Sequence, residues 1–305
     1  MANLLLYFVV VLIWGTTWIS VKYQIGEVHP QVSIFYRFVI ASSLLFIYCL
    51  IRRHSLRFKL KDHLYLILLG AGMFSIHCLL IYEATYYLVS AIVCLLFSCV
   101  SLFNILNSAL IFKVKPQKQV LAGAFMGVLG IAFFFWDEVA QFKLSQATLY
   151  GASLALAGSY IFSLGNIVGK RNQKAGFPLV PSVAYGMMYG SLIMFFYSLL
   201  GQVPFDISYK VSYWISLLYL AIPGSILAFL CYLSLIERIG PEKTGYSAVL
   251  FPVIALLISM GVEGYLPSYK DLIGMILIFA GNILVMVKPS TLLNFTSRLK
   301  HGVNN

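Results

Sequence analysis

Apolar stretches of about twenty residues recur along this chain, separated by short polar loops. A helix rising 1.5 Å per residue needs roughly that many to cross a hydrocarbon layer of about 30 Å, whereas a membrane β-barrel would show alternating segments of about ten. Windowed hydropathy places ten spans at roughly 4–22, 31–51, 64–84, 88–112, 120–136, 148–169, 180–200, 212–235, 244–262 and 270–288. The expected fold class is therefore an all-α polytopic membrane protein with ten transmembrane helices. Composition agrees. Of 305 residues, 61% are hydrophobic and 10% charged, while a soluble domain uses about 25% charged residues to cover its surface.

A net charge of +11 raises the question of nucleic acid, and the distribution argues against it. Sixteen of the 21 Lys and Arg residues fall in one alternate set of loops and in the tail, four in the opposite set, and Arg37 lies inside the second span. This is the pattern of an orientation signal, and it puts both termini in the cytoplasm of a plasma (inner) membrane protein. The five cysteines, 49, 78, 94, 99 and 231, all lie within apolar spans, without metal or redox spacing, and read as small core residues. The N-terminus has no basic segment and no small-residue cleavage site, so no cleavable signal is expected.

Segments also recur. Ser75-Ile76 … Tyr82 returns as Ser225-Ile226 … Tyr232, and GAFMGVLG (123–130) as GMILIFAG (274–281). NSALIFK (107–113) aligns with LISMGVE (257–263), and more weakly TTWISVK (16–22) with LGNIVGK (164–170). Five spans per copy is an odd number, so the second copy must run inverted through the membrane, a common transporter plan. The expected organisation is two inverted five-helix repeats, 1–140 and 141–288, followed by a basic cytoplasmic tail, 289–305.

On these residues the chain resembles the drug/metabolite transporter superfamily, EamA type, over essentially its whole length. The resemblance is carried by Trp14-Gly15 and Lys22, by Arg37-Phe38 with Ala41, by the run YEATYYLVSA (82–91), and by Phe251-Pro252 with Glu263-Gly264. The Gly-rich fifth and tenth spans also fit. In the first half Leu102 stands near the family's proline position and Lys113 at its acidic one, so that motif is degenerate. The resemblance implies a 5+5 inverted bundle that moves small metabolites, often amino acids, by alternating access.

Candidate site residues follow from polar groups at membrane depth, where an ionisable side chain usually faces the bundle interior or a wet cavity. Trp14, Trp18 and Lys22 are four apart and form one stripe. Trp14 is too deep for a belt residue, while Lys22 reads either as a substrate cation or as a snorkelling anchor. Arg37 and Glu83 fall at similar depth and are expected to pair, as a structural lock or as part of the site. His77 lies six residues before Glu83, about 240° around the helix, so only one of the two should point fully into a cavity. Tyr82 joins this polar stretch. The second half supplies neutral candidates: Tyr160, Asn166, Ser225, Tyr232 and Tyr246. Pro223-Gly224 and Pro252 are candidate helix breaks, and the GxxxG-spaced pairs Gly123/Gly127, Gly165/Gly169 and Gly186/Gly190 read as close packing.

Nucleophile-elbow, metalloprotease and P-loop motifs are all missing from the sequence, so neither an enzyme nor ATP drive is expected, nor any cofactor. The functional expectation is a secondary transporter, an exporter of small polar metabolites. His77 and Glu83 add the expectation of proton coupling. A passive channel or a structural membrane protein is the alternative. The small-molecule substrate and the lipid bilayer are the expected partners; monomer and homodimer both stand.

Overall fold

The computed structural model of the chain describes residues 2–112, 145–244 and 247–286, with nine further positions between 122 and 136. The described residues are helical, connected by turns and loops. In order, the helices are α1 (Ala2–Lys22), α2 (Pro30–Ile51), α3 (Leu60–Phe74), α4 (Ile76–Ala84), α5 (Ser90–Phe97), α6 (Val100–Phe112), α7 (Gln146–Lys174), α8 (Leu179–Leu200), α9 (Val211–Ala221), α10 (Ala228–Thr244), α11 (Ser247–Val262) and α12 (Tyr269–Met286). A π-helical turn, Ile222–Leu227, joins α9 to α10. Among the described residues, seven spans are long and apolar enough to cross a membrane. The expected span 120–136 is described only at those nine positions, and the tail, Lys113 and Tyr246 lie outside the described residues.

Many helix faces are apolar on the outside as well as the inside. Leu5, Ile51, Leu110, Leu200 and Ile215 are each at least 65% exposed. In water this would be untenable; in lipid it is the expected exterior, because every backbone group is bonded within its own helix.

Small residues let the helices approach. α3 crosses α8 at Gly70, where an added Cβ would lie 2.6 Å from the carbonyl oxygen of Gly186 and 2.8 Å from the amide of Gly190. α3 meets α7 where Gly72 and Gly165 touch, a Gly72 Cβ falling 2.8 Å from Gly165 Cα. The GxxxG pair Gly186/Gly190 thus packs closely, as its spacing predicts. A reciprocal pair of contacts joins the two glycine-rich segments. A Cβ on Gly281 would lie 2.6 Å from Gly123 O, and one on Gly130 would lie 2.7 Å from Gly274 O.

Three spans that hydropathy draws as continuous are interrupted. α3 and α4 part at Ser75, whose hydroxyl donates back to the carbonyls of Gly70 (3.0 Å) and Ala71 (3.3 Å). α5 and α6 part at Ser98-Cys99, where Ser98 Oγ donates to Leu95 O at 2.6 Å. In the π-turn, Ser225 Oγ donates to Leu220 O at 2.8 Å. Serine hydroxyls re-satisfy carbonyls freed from the helical ladder, which makes such breaks tolerable away from water. Pro223 sits in the π-turn as its position predicts, whereas Pro252 is carried inside α11 without a break.

On the loops, Lys210 Nζ donates to Glu27 Oε1 at 2.5 Å and Ser208 Oγ to Oε2 at 3.1 Å, tying the α1–α2 turn to the segment before α9. The hydrogen bond from Lys210 holds Glu27 below its ordinary value.

Two outcomes follow from this packing and this tie. Gly190→Ala, which drives a methyl to 2.7 Å from both Cβ and O of Phe74, should lower the melting temperature in detergent, by about 1–3 kcal/mol of overpacking; Gly261→Ala, with nothing within 4 Å, should not. Because Glu27 is depressed in the fold, its tie is present above the free carboxylate's titration and lost as pH falls through the lower value. Glu27→Gln should therefore be less stable than the parent at neutral pH, with the gap closing below about pH 4 in the same thermal-shift assay.

Candidate functional site

A cavity lies among α1, α2, α4, α5, α7, α10 and α11, lined by Trp14, Thr17, Trp18, Val21, Arg37, His77, Cys78, Ile81, Tyr82, Phe97, Phe162, Phe229 and Phe251. Its volume is about 70 Å³, room for several waters. The stripe on α1 explains half of one wall. Trp14, Trp18 and Val21 recur at helical spacing and turn the same face inward, each at most 8% exposed.

Arg37 is 7% exposed. Its Nε donates to Ser225 Oγ at 2.8 Å, and its guanidinium carbon lies 5.0 Å from the Phe38 ring centroid. Ser225 belongs to the π-turn, and so does Gly224, whose carbonyl accepts from Trp14 Nε1 at 3.1 Å. The irregular turn therefore presents two acceptors, a hydroxyl and a carbonyl, to the two polar groups that reach it from α1 and α2. Beside Arg37, the Tyr82 phenol donates to Gln24 Oε1 at 2.8 Å.

The floor of the cavity is aromatic. Trp14 packs edge-on against Phe229 (5.0 Å between centroids), Phe251 (5.5 Å) and Phe162 (6.1 Å), and tilted on Tyr232 (4.8 Å). His77 leans on Phe162 at 4.9 Å. These geometries suit ring quadrupoles, and the site's body is correspondingly apolar. The indole N–H of Trp18 is buried without an acceptor among the described residues.

At the Lys22 end of the bundle, Glu263 is 7% exposed in its side chain and gathers three elements. Ser90 donates through Oγ (2.5 Å) and N (3.3 Å), Ser259 through its hydroxyl, and Lys22 Nζ stands 3.8 Å away.

The sequence-derived candidates separate into groups. Trp14, Trp18, Arg37, His77 and Tyr82 line the cavity. Ser225 holds Arg37, and Tyr232 packs behind Trp14. Asn166 is buried, donating to Asn104 Oδ1 at 3.2 Å beside the Tyr232 phenol. Three depart from expectation. Glu83 is half-buried, does not line the cavity and forms no ion pair with Arg37. It sits on the side of α4 away from the His77–Ile81 face, and Arg37 takes a neutral hydroxyl instead. Lys22 is directed to Glu263. Tyr160 is 41% exposed and packs on Phe103 at 5.5 Å, on the outside of α7. Phe97, Phe162, Phe229 and Phe251 line the cavity without having been site candidates; a phenylalanine inside an apolar span carries no signal of its own.

An all-helical, membrane-length bundle with a polar-and-aromatic cavity at its centre defines a polytopic membrane protein of transporter-like build. The profile of the EamA-like transporter family matches residues 1–136 and 149–287, and the chain belongs to that family. It is 26% identical over 84% of its length to the Escherichia coli (strain K12) protein named uncharacterized inner membrane transporter YedA, covering 81% of that protein. It is 23% identical to uncharacterized transporter YyaM of Bacillus subtilis (strain 168), over 88% of each chain, and 22% identical to protein PagO of Salmonella typhimurium, over 97% and 96%. A solved crystal structure shares the fold with a TM-score of 0.67 at 19% identity, over 93% of this chain and 96% of the other.

The Glu263 cluster yields a clear contrast. Glu263→Ala leaves buried serine donors unsatisfied and should cost about 1–3 kcal/mol, whereas Lys22→Ala removes a long, half-exposed ion pair and should cost about 1 kcal/mol or less, both read as melting shifts in detergent.

Proposed function

We propose that this protein is a secondary transporter that exports small polar metabolites by alternating access. The observation that carries the reading is the central cavity, walled by α1, α2, α4 and α5 on one side and α7, α10 and α11 on the other, with a buried cation bridging the two through Ser225. A site between repeated units near mid-membrane, beside a broken helix, is where such carriers hold substrate. The resemblance adds amino acids as a class to try.

We read the chain as ten helices in two inverted repeats, 1–140 and 141–288. Three observations support this. The family profile matches two successive stretches. Ser75 and Ser225, equivalent in the repeat, both donate to a carbonyl five residues back and both sit at an interrupted span. The contacts Gly123–Gly281 and Gly130–Gly274 exchange equivalent positions, as a pseudo-two-fold axis requires. The loop charge bias supports cytoplasmic termini, and the relatives named as inner membrane transporters support that location.

For proton coupling, His77 is the group in position, since it lines the cavity and Glu83 does not. The test is counterflow in reconstituted vesicles with a panel of amino acids and related metabolites. Saturable flux that competing substrate reduces is expected. Linear, uncompeted flux would favour a passive channel, and no flux with any metabolite would reject the reading. In the same assay a dependence of the rate on pH between about 5.5 and 7.5 that is unchanged in both His77→Gln and Glu83→Gln removes proton coupling and leaves a uniporter or exchanger.

A further inference from the structure

The cavity's polar groups are unbalanced in a way that bears on its ligand. A guanidinium carries five N–H donors and no acceptor. Arg37 spends Nε on Ser225, and the Tyr82 oxygen is the other polar atom beside it. Trp18 adds an indole N–H that is buried and has no acceptor among the described residues. No carboxylate is among the described residues that line the cavity. Acids on the segments that adjoin its walls are turned elsewhere: Glu83 off the lining, Glu27 tied to Lys210 and Ser208, and Glu263 engaged with Ser90, Ser259 and Lys22. Buried charges are ordinarily paired, and buried donors ordinarily find acceptors. Here a full positive charge and a spare donor share a pocket whose wall is otherwise largely ring faces and edges, with Thr17, His77, Cys78 and Tyr82 as its uncharged or weakly polar members.

We propose that the cavity binds an organic monoanion with a planar apolar body, its carboxylate on Arg37 and the Trp18 N–H and its body among the aromatic rings. This rests on the transporter reading and narrows its substrate class. A carboxylate supplies the missing negative charge and accepts from a guanidinium through two oxygens, the geometry for which arginine is suited. A zwitterionic amino acid fits less well. With its carboxylate on Arg37, its ammonium would sit one carbon away, repelled by the same guanidinium and without an acid in the lining to receive it. Ring faces, the Thr17 and Tyr82 hydroxyls and the His77 imidazole remain for it, weaker partners than a carboxylate. A cation without a carboxylate would meet Arg37 with nothing to offset the repulsion.

The test uses three molecules of one shape on the purified full-length protein: 3-phenylpropanoate, phenylalanine and 2-phenylethylamine, by thermal shift and by competition in the vesicle assay. The expected order is 3-phenylpropanoate tightest, phenylalanine weaker by about tenfold or more, and 2-phenylethylamine without effect. Arg37→Gln should weaken 3-phenylpropanoate by roughly tenfold to a hundredfold, as loss of a charged hydrogen bond does. Should Arg37→Gln fail to fold, Trp18→Phe keeps the ring and removes only the N–H, and a several-fold loss confined to the carboxylate-bearing ligands is expected. Equal or tighter binding of phenylalanine overturns the inference while leaving transport intact. Binding of none of the three overturns it as well, and the metabolite-panel flux then decides the transport reading independently.

Discussion

A guanidinium inside a membrane protein must be solvated by something other than lipid, and the cost of leaving it unsolvated at mid-depth is at least about 3 kcal/mol. In this chain the solvation of Arg37 organises the centre of the bundle. One nitrogen is held by Ser225, the face leans on Phe38, and the remaining donors turn to a cavity. Ser225 is free to accept because it lies in a π-turn and anchors itself by donating five residues back. The same turn offers the Gly224 carbonyl to Trp14, which seats the aromatic floor. A regular helix over 222–227 would bond the Gly224 carbonyl along the chain and leave Trp14 without that acceptor.

The irregularities and the close glycine contacts serve one another. A span can be broken at Ser75 only where the freed carbonyls are re-satisfied and the neighbouring helices pack against the break. Gly190 on α8 lies directly on Phe74, the residue before the break, and Gly165 lies on Met73. Rigid, glycine-mediated crossings on one side and a bent helix on the other fix where His77 and Tyr82 point. The Glu263 cluster gathers α1, α5 and α11 at the Lys22 end of the same walls. The walls are thus held together by an aromatic floor at one level and, off the lining, by the hydrogen-bonded Glu263 at another.

Much of this was legible in the sequence, for physical reasons that differ by element. The seven membrane-length spans among the described residues were legible because the bilayer dictates their length and the apolar content is nearly all they need. Trp14, Trp18, Arg37, His77 and Tyr82 were legible as cavity residues because a polar or oversized amphipathic group deep in an apolar run has few other places to go. The partner of Arg37 was not: Glu83 was expected, and Ser225 holds it. Depth follows from helix rise, but azimuth around a span broken at Ser75 does not, and a neutral serine from a distant π-turn outcompeted the acid. Tyr160 misled for the opposite reason: a tyrosine near mid-span can face outward, and it packs on Phe103 instead. The phenylalanines of the floor were invisible, being identical in kind to the lipid-facing ones.

The account stands on a water-reached cavity that carries the unneutralised charge of Arg37, and Cys78 lines that cavity. The direct measurement is the rate at which methanethiosulfonate reagents of opposite charge modify detergent-solubilised protein retaining only Cys78, compared with protein retaining only Cys94, which is 1% exposed and off the lining. The account predicts that the anionic reagent modifies Cys78 about tenfold faster or more than it does Cys94, and that it outpaces the cationic reagent at Cys78. A Cys78 as inert as Cys94, or one that reacts faster with the cation, would contradict it.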